Sequence, residues 1–137
     1  MAEIVGGCLC GAVRYRAEAE PVLIAACHCT ACQRNTGAPF SVNLAVPAGS
    51  VVVQGDALAT YEDRSGASGK VFERSFCGRC GSPILGKGEA YAGLEFLKVG
   101  TLDDPSWAAP GAHIWCAEKQ PWDVVAAGAA CFEGNPA

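Results

Sequence analysis

The sequence predicts a mainly β fold, and three observations carry the prediction. Short runs of alternating apolar and polar residues recur about every ten residues along the 137-residue chain. No segment holds a long 3.6-residue apolar period. Glycine, at 17 residues, and proline, at 8, punctuate the whole length. With no internal repeat, low-complexity tract or linker, residues 1–137 read as one domain. Surface scaling puts about 6,700 Å² on the folded surface against about 20,400 Å² unfolded, so about two-thirds is buried and a core can form.

The elements follow in order. Ala12 to Ala17 alternates, with Val13 and Tyr15 on one face and Arg14 and Arg16 on the other. Val22 to Ala26 is a short apolar strand. Thr30-Ala31-Cys32-Gln33 fits a capping box, with Thr30 as N-cap and Gln33 at the third helical position. Gly37 should stop that helix within two turns. Cys32 then lies in the first turn, where free N–H groups favour a thiolate. Phe40 to Val46 and Val71 to Phe76 alternate as strands. Val51 to Val53 and Ala59 to Tyr61 read as a hairpin turned at Gly55-Asp56. Tyr91 to Val99 holds one or two more strands, and Glu133 to Ala137 forms a loose end. Trp107, Trp115 and Trp122 are expected to pack the C-terminal third, where an aromatic could also line a pocket.

Composition narrows the function. Hydrophobic residues are 50% and charged residues 18%, which excludes a disordered chain. The net charge of −4 argues against a partner bound through a phosphate backbone, so no nucleic acid is expected. A small anion needs only local positive charge and is not excluded. No membrane partner is expected either, since the longest apolar stretch, Val124 to Phe132, is about half a spanning helix. The residues from Met1 to Gly7 show no signal-peptide pattern, so the expected location is cytoplasmic.

The nine cysteines carry the chemistry. In a reducing compartment they are not expected to form a disulfide framework. Seven fall in tight clusters: Cys8 and Cys10; Cys27, Cys29 and Cys32; Cys77 and Cys80. Such gaps suit thiolate ligation of a metal, because one turn can aim two sulfurs at a single ion. Four ligands close a tetrahedral structural zinc site, and three leave an open position of the catalytic kind. One division joins Cys8 and Cys10 to Cys77 and Cys80 and leaves Cys27, Cys29 and Cys32 as a triad. The rival joins Cys29 and Cys32 to Cys77 and Cys80 as a ribbon, with 44 residues between its knuckles. That gap exceeds the roughly 15–20 of the usual signature, and the ribbon strands Cys27. Spacing favours the first division.

An open thiolate site suits sulfur chemistry, because a bound thiol ionises readily there. A fourth ligand would close it; His28, His113, Cys116 and acidic side chains are the candidates. On strand geometry His28 faces away from Cys27 and Cys29 and reads as a packing or supporting residue. Arg34, just past the triad, and Lys87, between Gly86 and Gly88, are candidates to meet a substrate carboxylate. No Ser-His-Asp grouping, phosphate loop or dinucleotide fingerprint appears.

Gly7 to Tyr15 (GCLCGAVRY), Cys27 to Phe40 (CHCTACQRNTGAPF) and Phe76 to Ile84 (FCGRCGSPI) resemble the glutathione-dependent formaldehyde-activating enzyme family, the Gfa/CENP-V domain family. So do Val99 to Pro105 (VGTLDDP), His113-Ile114-Trp115 and Lys119-Gln120-Pro121-Trp122. The resemblance covers nearly the whole chain. It implies an Mss4-like fold of several small, coiled antiparallel sheets, with a short helix after the Cys27–Cys32 motif. It implies two zincs: a structural one on Cys8, Cys10, Cys77 and Cys80, and a catalytic one on Cys27, Cys29 and Cys32. The implied activity is that of a carbon–sulfur lyase, joining formaldehyde to glutathione as S-hydroxymethylglutathione and reversing the step. Cys116 and Cys131 fall outside the zinc motifs and receive no role. Two other readings stand beside this one. A zinc-stabilised binding module is suggested by chromatin-associated relatives. A methionine sulfoxide reductase would need Cys116 or Cys131 as its redox cysteine.

Overall fold

The computed structural model describes residues 3–136. Its strands are β1 (Glu3–Gly7), β2 (Arg14–Glu18), β3 (Leu23–Cys27), β4 (Ser41–Pro47), β5 (Val51–Gln54), β6 (Leu58–Asp63), β7 (Phe72–Cys77), β8 (Pro83–Gly88), β9 (Leu94–Lys98) and β10 (Ala112–Ile114). Helix α1 (Thr30–Thr36) follows the Cys27–Cys32 motif, and the remaining helical pieces are single 3-10 turns. The chain is mainly β with one short helix, as expected. Its strands make a three-stranded sheet, β1-β2-β5, and a seven-stranded sheet, β10-β3-β4-β9-β8-β7-β6. Among the described strands only the β10–β3 pairing is parallel.

Alternation assigns the faces correctly. Tyr15 and Ala17 are buried on β2 while Arg14 and Arg16 are exposed. The expected hairpin does not form. β5 pairs with β2, and β6 pairs with β7 in the other sheet. Gly55, at φ 99°, turns the chain from one sheet to the other, and a Cβ there would collide with the Ala12 carbonyl. Two runs of suitable length around a glycine do not specify that they pair with each other.

Helix α1 begins one residue earlier than the capping box predicts. Cys29 is the N-cap, and its sulfur accepts a hydrogen bond from Cys32 N at 3.3 Å. Thr30 instead gives both its backbone N–H and its hydroxyl to Glu118 Oε1. Gly37 ends the helix in the left-handed conformation, its N–H bonded to the Gln33 carbonyl.

The core lies between the two sheets. Ile4 and Tyr15 come from the smaller one, with Val13 just before β2; Leu44, Val46, Ile84 and Leu97 come from the larger. The Val99–Pro105 segment ties them together. Tyr15 bonds Thr101 Oγ1 at 2.7 Å, Arg14 pairs with Asp103, and Leu102 bridges to Gly6. Leu44 is fully buried within this core. Leu44→Ala should lower the unfolding free energy by about 3 kcal/mol. A urea titration checks it, with a lower midpoint at unchanged slope.

The C-terminal end is docked, in contrast to the loose end expected there. Trp115 N donates to the Gly134 carbonyl, and Asn135 Oδ1 accepts from Trp115 Nε1 at 2.9 Å. Ala137 lies outside the described residues. Among the described residues no helix is long and apolar enough to cross a membrane.

Candidate functional site

Two turns from different sheets build the first cysteine cluster. Cys8 and Cys10 lie in the connection after β1, Cys77 ends β7, and Cys80 lies in the tight turn before β8. The four sulfurs fall within 4.8 Å of one another. Cys8 and Cys10 are 3.6 Å apart, and Cys10 and Cys77 are 3.8 Å apart. A tetrahedron with metal–sulfur bonds of about 2.3 Å has sulfur–sulfur edges of about 3.8 Å, so this donor set fits a metal ion. Backbone N–H groups point at the sulfurs: Val13 N at Cys8, and Arg79 N and Cys80 N at Cys77. Hydrogen bonds from Ser82, first through its hydroxyl, pull the Cys80 thiol down to about 5. Leu9 N also bonds Ser82 Oγ, so the two turns touch directly.

The second cluster is local. β3 ends in Cys27, Cys29 caps the helix, and Cys32 comes from its first turn. Their sulfurs also lie within 4.8 Å of one another, and no other Cys, His, Asp or Glu atom among the described residues completes a larger group with them. Each cluster can therefore hold a metal ion. The thiols are strongly coupled. Cys32 is pushed down to about 2, first by the Cys27 and Cys29 thiols that bond its thiolate, while burial opposes and the Lys98 and Arg74 charges assist. Cys27 is pushed up, by its bonds to the other two and then by burial.

The open side of the triad faces a cavity of about 550 Å³. Phe72, Tyr91, Phe96, Ile114 and Trp115 give it apolar walls, and its charged lining holds Lys70, Arg74 and Lys98 beside Asp63 and Glu118. Gly86 lets Phe72 approach, since a Cβ there would lie 2.6 Å from the ring. Trp115 holds a left-handed backbone at φ 56°, which a non-glycine residue adopts only under restraint. That restraint comes from its bonds to Gly134 and Asn135. Trp107 and Trp122 are exposed, so of the three tryptophans only Trp115 lines the cavity.

His28 turns away from the triad, as alternation predicts. It is fully buried against Phe40, with Nε2 3.0 Å from His113 Nδ1. Its Nδ1 lies 3.1 Å from Asp123 Oδ2 but off the hydrogen-bond axis. The His28 carbonyl accepts from Gln33 Nε2, and Gln33 Oε1 accepts from Gln120. The histidine and Lys119–Trp122 segments therefore brace the loop that carries the triad.

Arg34 is exposed on α1 and is not in the cavity lining. Lys87 lies within β8, outside that lining, with its ammonium 3.6 Å from Glu95. Arg74 and Lys98 line the same cavity as the triad, and neither is marked as a site residue by the sequence. Each belongs to an alternating strand, where a charged residue reads as solvent-facing. Lys98 carries one available signal: it shares its strand face with Phe96, and both line the cavity.

Cys116 and Cys131 are joined in a disulfide, with Cα atoms 6.4 Å apart. The seven clustered cysteines are free, but the expectation of no disulfide fails for these two. His113 bridges to Cys131, and Cys116 N bonds the Phe132 carbonyl. That backbone pairing aligns them across a separation of 15 residues, where no local motif reveals it.

A β fold with a four-thiol cluster between its sheets and a three-thiol cluster open to a cavity defines a class: small β proteins with one closed and one open candidate metal site. Within that class the chain belongs to the glutathione-dependent formaldehyde-activating enzyme family, whose model matches residues 3–118. A Halomonas elongata protein named "Putative glutathione-dependent formaldehyde-activating enzyme" is 27% identical over 137 residues, covering 96% of this chain and 87% of that protein. An Aspergillus terreus protein of the same name is 34% identical over 90 residues, covering 62% of this chain and 44% of that protein. The fold is shared with a Rhodobacter sphaeroides protein of known crystal structure, at TM-score 0.60 and 19% identity over 93% of this chain and 98% of that one.

Proposed function

We propose that the chain is a zinc-dependent carbon–sulfur lyase and synthase acting on a small thiol–aldehyde adduct of the S-hydroxymethylglutathione type. The observation that carries this reading is a three-thiol cluster, without a fourth ligand among the described residues, facing an apolar-walled cavity. The relatives' shared name supports glutathione and formaldehyde as the pair to test first. In this reading two zincs bind per chain. Cys8, Cys10, Cys77 and Cys80 hold a structural ion, and Cys27, Cys29 and Cys32 hold the catalytic one. Bound there, zinc supplies a borderline-soft acid that favours a thiolate sulfur over the neutral thiol.

The chain's own residues do the rest. Phe72, Tyr91, Phe96 and Trp115 exclude water around the reacting sulfur. Lys70, exposed at the cavity rim, is placed to meet a substrate carboxylate. Arg34 and Lys87, the earlier candidates for that contact, lie outside the lining. Arg74 is already bonded to Asp63 Oδ2 at 2.8 Å and stacked over Phe72, so it shapes the wall.

Exchange NMR with formaldehyde and glutathione tests the proposal, run against a protein-free blank because the uncatalysed reaction is appreciable. Other low-molecular-weight thiols are run in parallel. Exchange well above the blank for at least one thiol is expected. Exchange at the blank rate for every thiol, in protein holding two zincs, would defeat the enzyme reading in favour of a zinc-stabilised binding module.

A further inference from the structure

We propose that Lys98 is a catalytic residue that binds the aldehyde oxygen and protonates it as the carbon–sulfur bond forms. The assignment rests on the lyase reading above. Lys98 is half-buried at the end of β9, and it lines the same cavity as Cys27, Cys29 and Cys32. An ammonium group has three donors. One goes to Ser41 Oγ at 2.8 Å, and the Ser41 hydroxyl in turn donates a hydrogen bond to Asn43 Oδ1 at 3.0 Å. Among the described residues no carboxylate lies within ion-pair distance of Lys98, whereas Arg74 has Asp63 and Lys87 has Glu95. A cation drawn out of water without a carboxylate is unfavourable unless negative charge is close by. The groups that share its cavity and can supply that charge are the thiols of Cys27, Cys29 and Cys32 and the carboxylates of Asp63 and Glu118.

The chemistry requires a donor at that place. A thiolate sulfur attacks the carbonyl carbon, one C–S bond forms, and the C=O π pair moves onto oxygen. That oxygen is two bonds from sulfur, or about 2.7 Å away, so its partner must stand beside the thiol cluster. The Lys98 ammonium donates a proton to the new alkoxide, giving the hydroxymethyl thioether and a neutral amine, which regains its proton from water. In reverse the neutral amine removes the hydroxyl proton, the C=O bond re-forms, and the thiolate leaves. A fixed donor aimed where charge develops commonly supplies about 10²–10³ in rate.

The rival role is a countercharge for the thiolate cluster, which would fail with loss of metal. Lys98→Met separates the two, with metal content, ligand affinity and exchange measured beside the wild type. Expected are unchanged zinc, thiol affinity within about twofold, and exchange reduced about 10²–10³-fold. A readout independent of turnover uses S-carboxymethylglutathione, whose carboxylate oxygens are three bonds from sulfur, against S-ethylglutathione. The wild type should prefer the former, and Lys98→Met should lose that preference. If Lys98→Met does not fold, Lys98→Gln takes its place in both measurements. Loss of zinc, or exchange undiminished beside an active wild type, would overturn the assignment alone. A wild type at the blank rate would remove the lyase reading and this assignment with it.

Discussion

Cys77→Ser should leave no soluble folded protein. Cys77 is fully buried, belongs to the core cluster and donates its sulfur to the four-thiol group that joins the two sheets. A structural zinc contributes about 10–16 kcal/mol of apparent binding energy. A domain's whole net stability is about 5–15 kcal/mol. Loss of one ligand is therefore comparable with the entire margin. The cluster also ties residue 10 to residue 77, and by analogy with a disulfide such a link restrains the unfolded chain by about 4 kcal/mol. Cys10→Ser should behave alike, although Cys10 is exposed, because in the proposed reading the effect runs through a bound metal and not through packing. Soluble yield and circular dichroism check both variants. A cooperatively melting Cys77→Ser protein without metal at this cluster would overturn the structural role.

Cys32→Ser should give the opposite pattern: a folded protein that holds one zinc and exchanges at the blank rate. Its cluster spans only residues 27–32, so closing it restrains little of the unfolded chain. The surrounding loop keeps its own supports, since Gln33 still bonds the His28 carbonyl and Glu118 still holds Thr30. The melting temperature should stay within about 5 °C of the wild type, the shift of roughly one kcal/mol at this size. Metal analysis beside circular dichroism and the exchange assay reads the result. Global unfolding, or undiminished turnover at low residual zinc, would contradict it.

Features set by near neighbours were legible in the sequence. The alternation around Tyr15 assigned its face, Gly37 marked the helix end, and gaps of one or two residues grouped the clustered cysteines. The preferred pairing of Cys8 and Cys10 with Cys77 and Cys80 came from excluding a poor ribbon spacing, and the sulfur positions agree with it. Features decided by distant partners were not legible. The choice of Cys29 over Thr30 as N-cap follows Glu118, 88 residues from Thr30, which takes both Thr30 donors. β5 leaves its neighbour β6 because β2 offers it a ladder, and strand alternation does not encode the identity of a partner. Lys98 and Arg74 carry no local mark of a site, because the triad and the residues after β10 that line the cavity with them are distant in sequence.

The most direct test of two cysteine clusters with different tasks is a crystal structure with anomalous scattering at the zinc edge, after a soak with glutathione. The account predicts two zinc peaks per chain. One is ringed by Cys8, Cys10, Cys77 and Cys80; the other is held by Cys27, Cys29 and Cys32, with the soaked thiol's sulfur as its fourth ligand. A single peak, or a second zinc closed by a protein side chain with glutathione elsewhere, would contradict it.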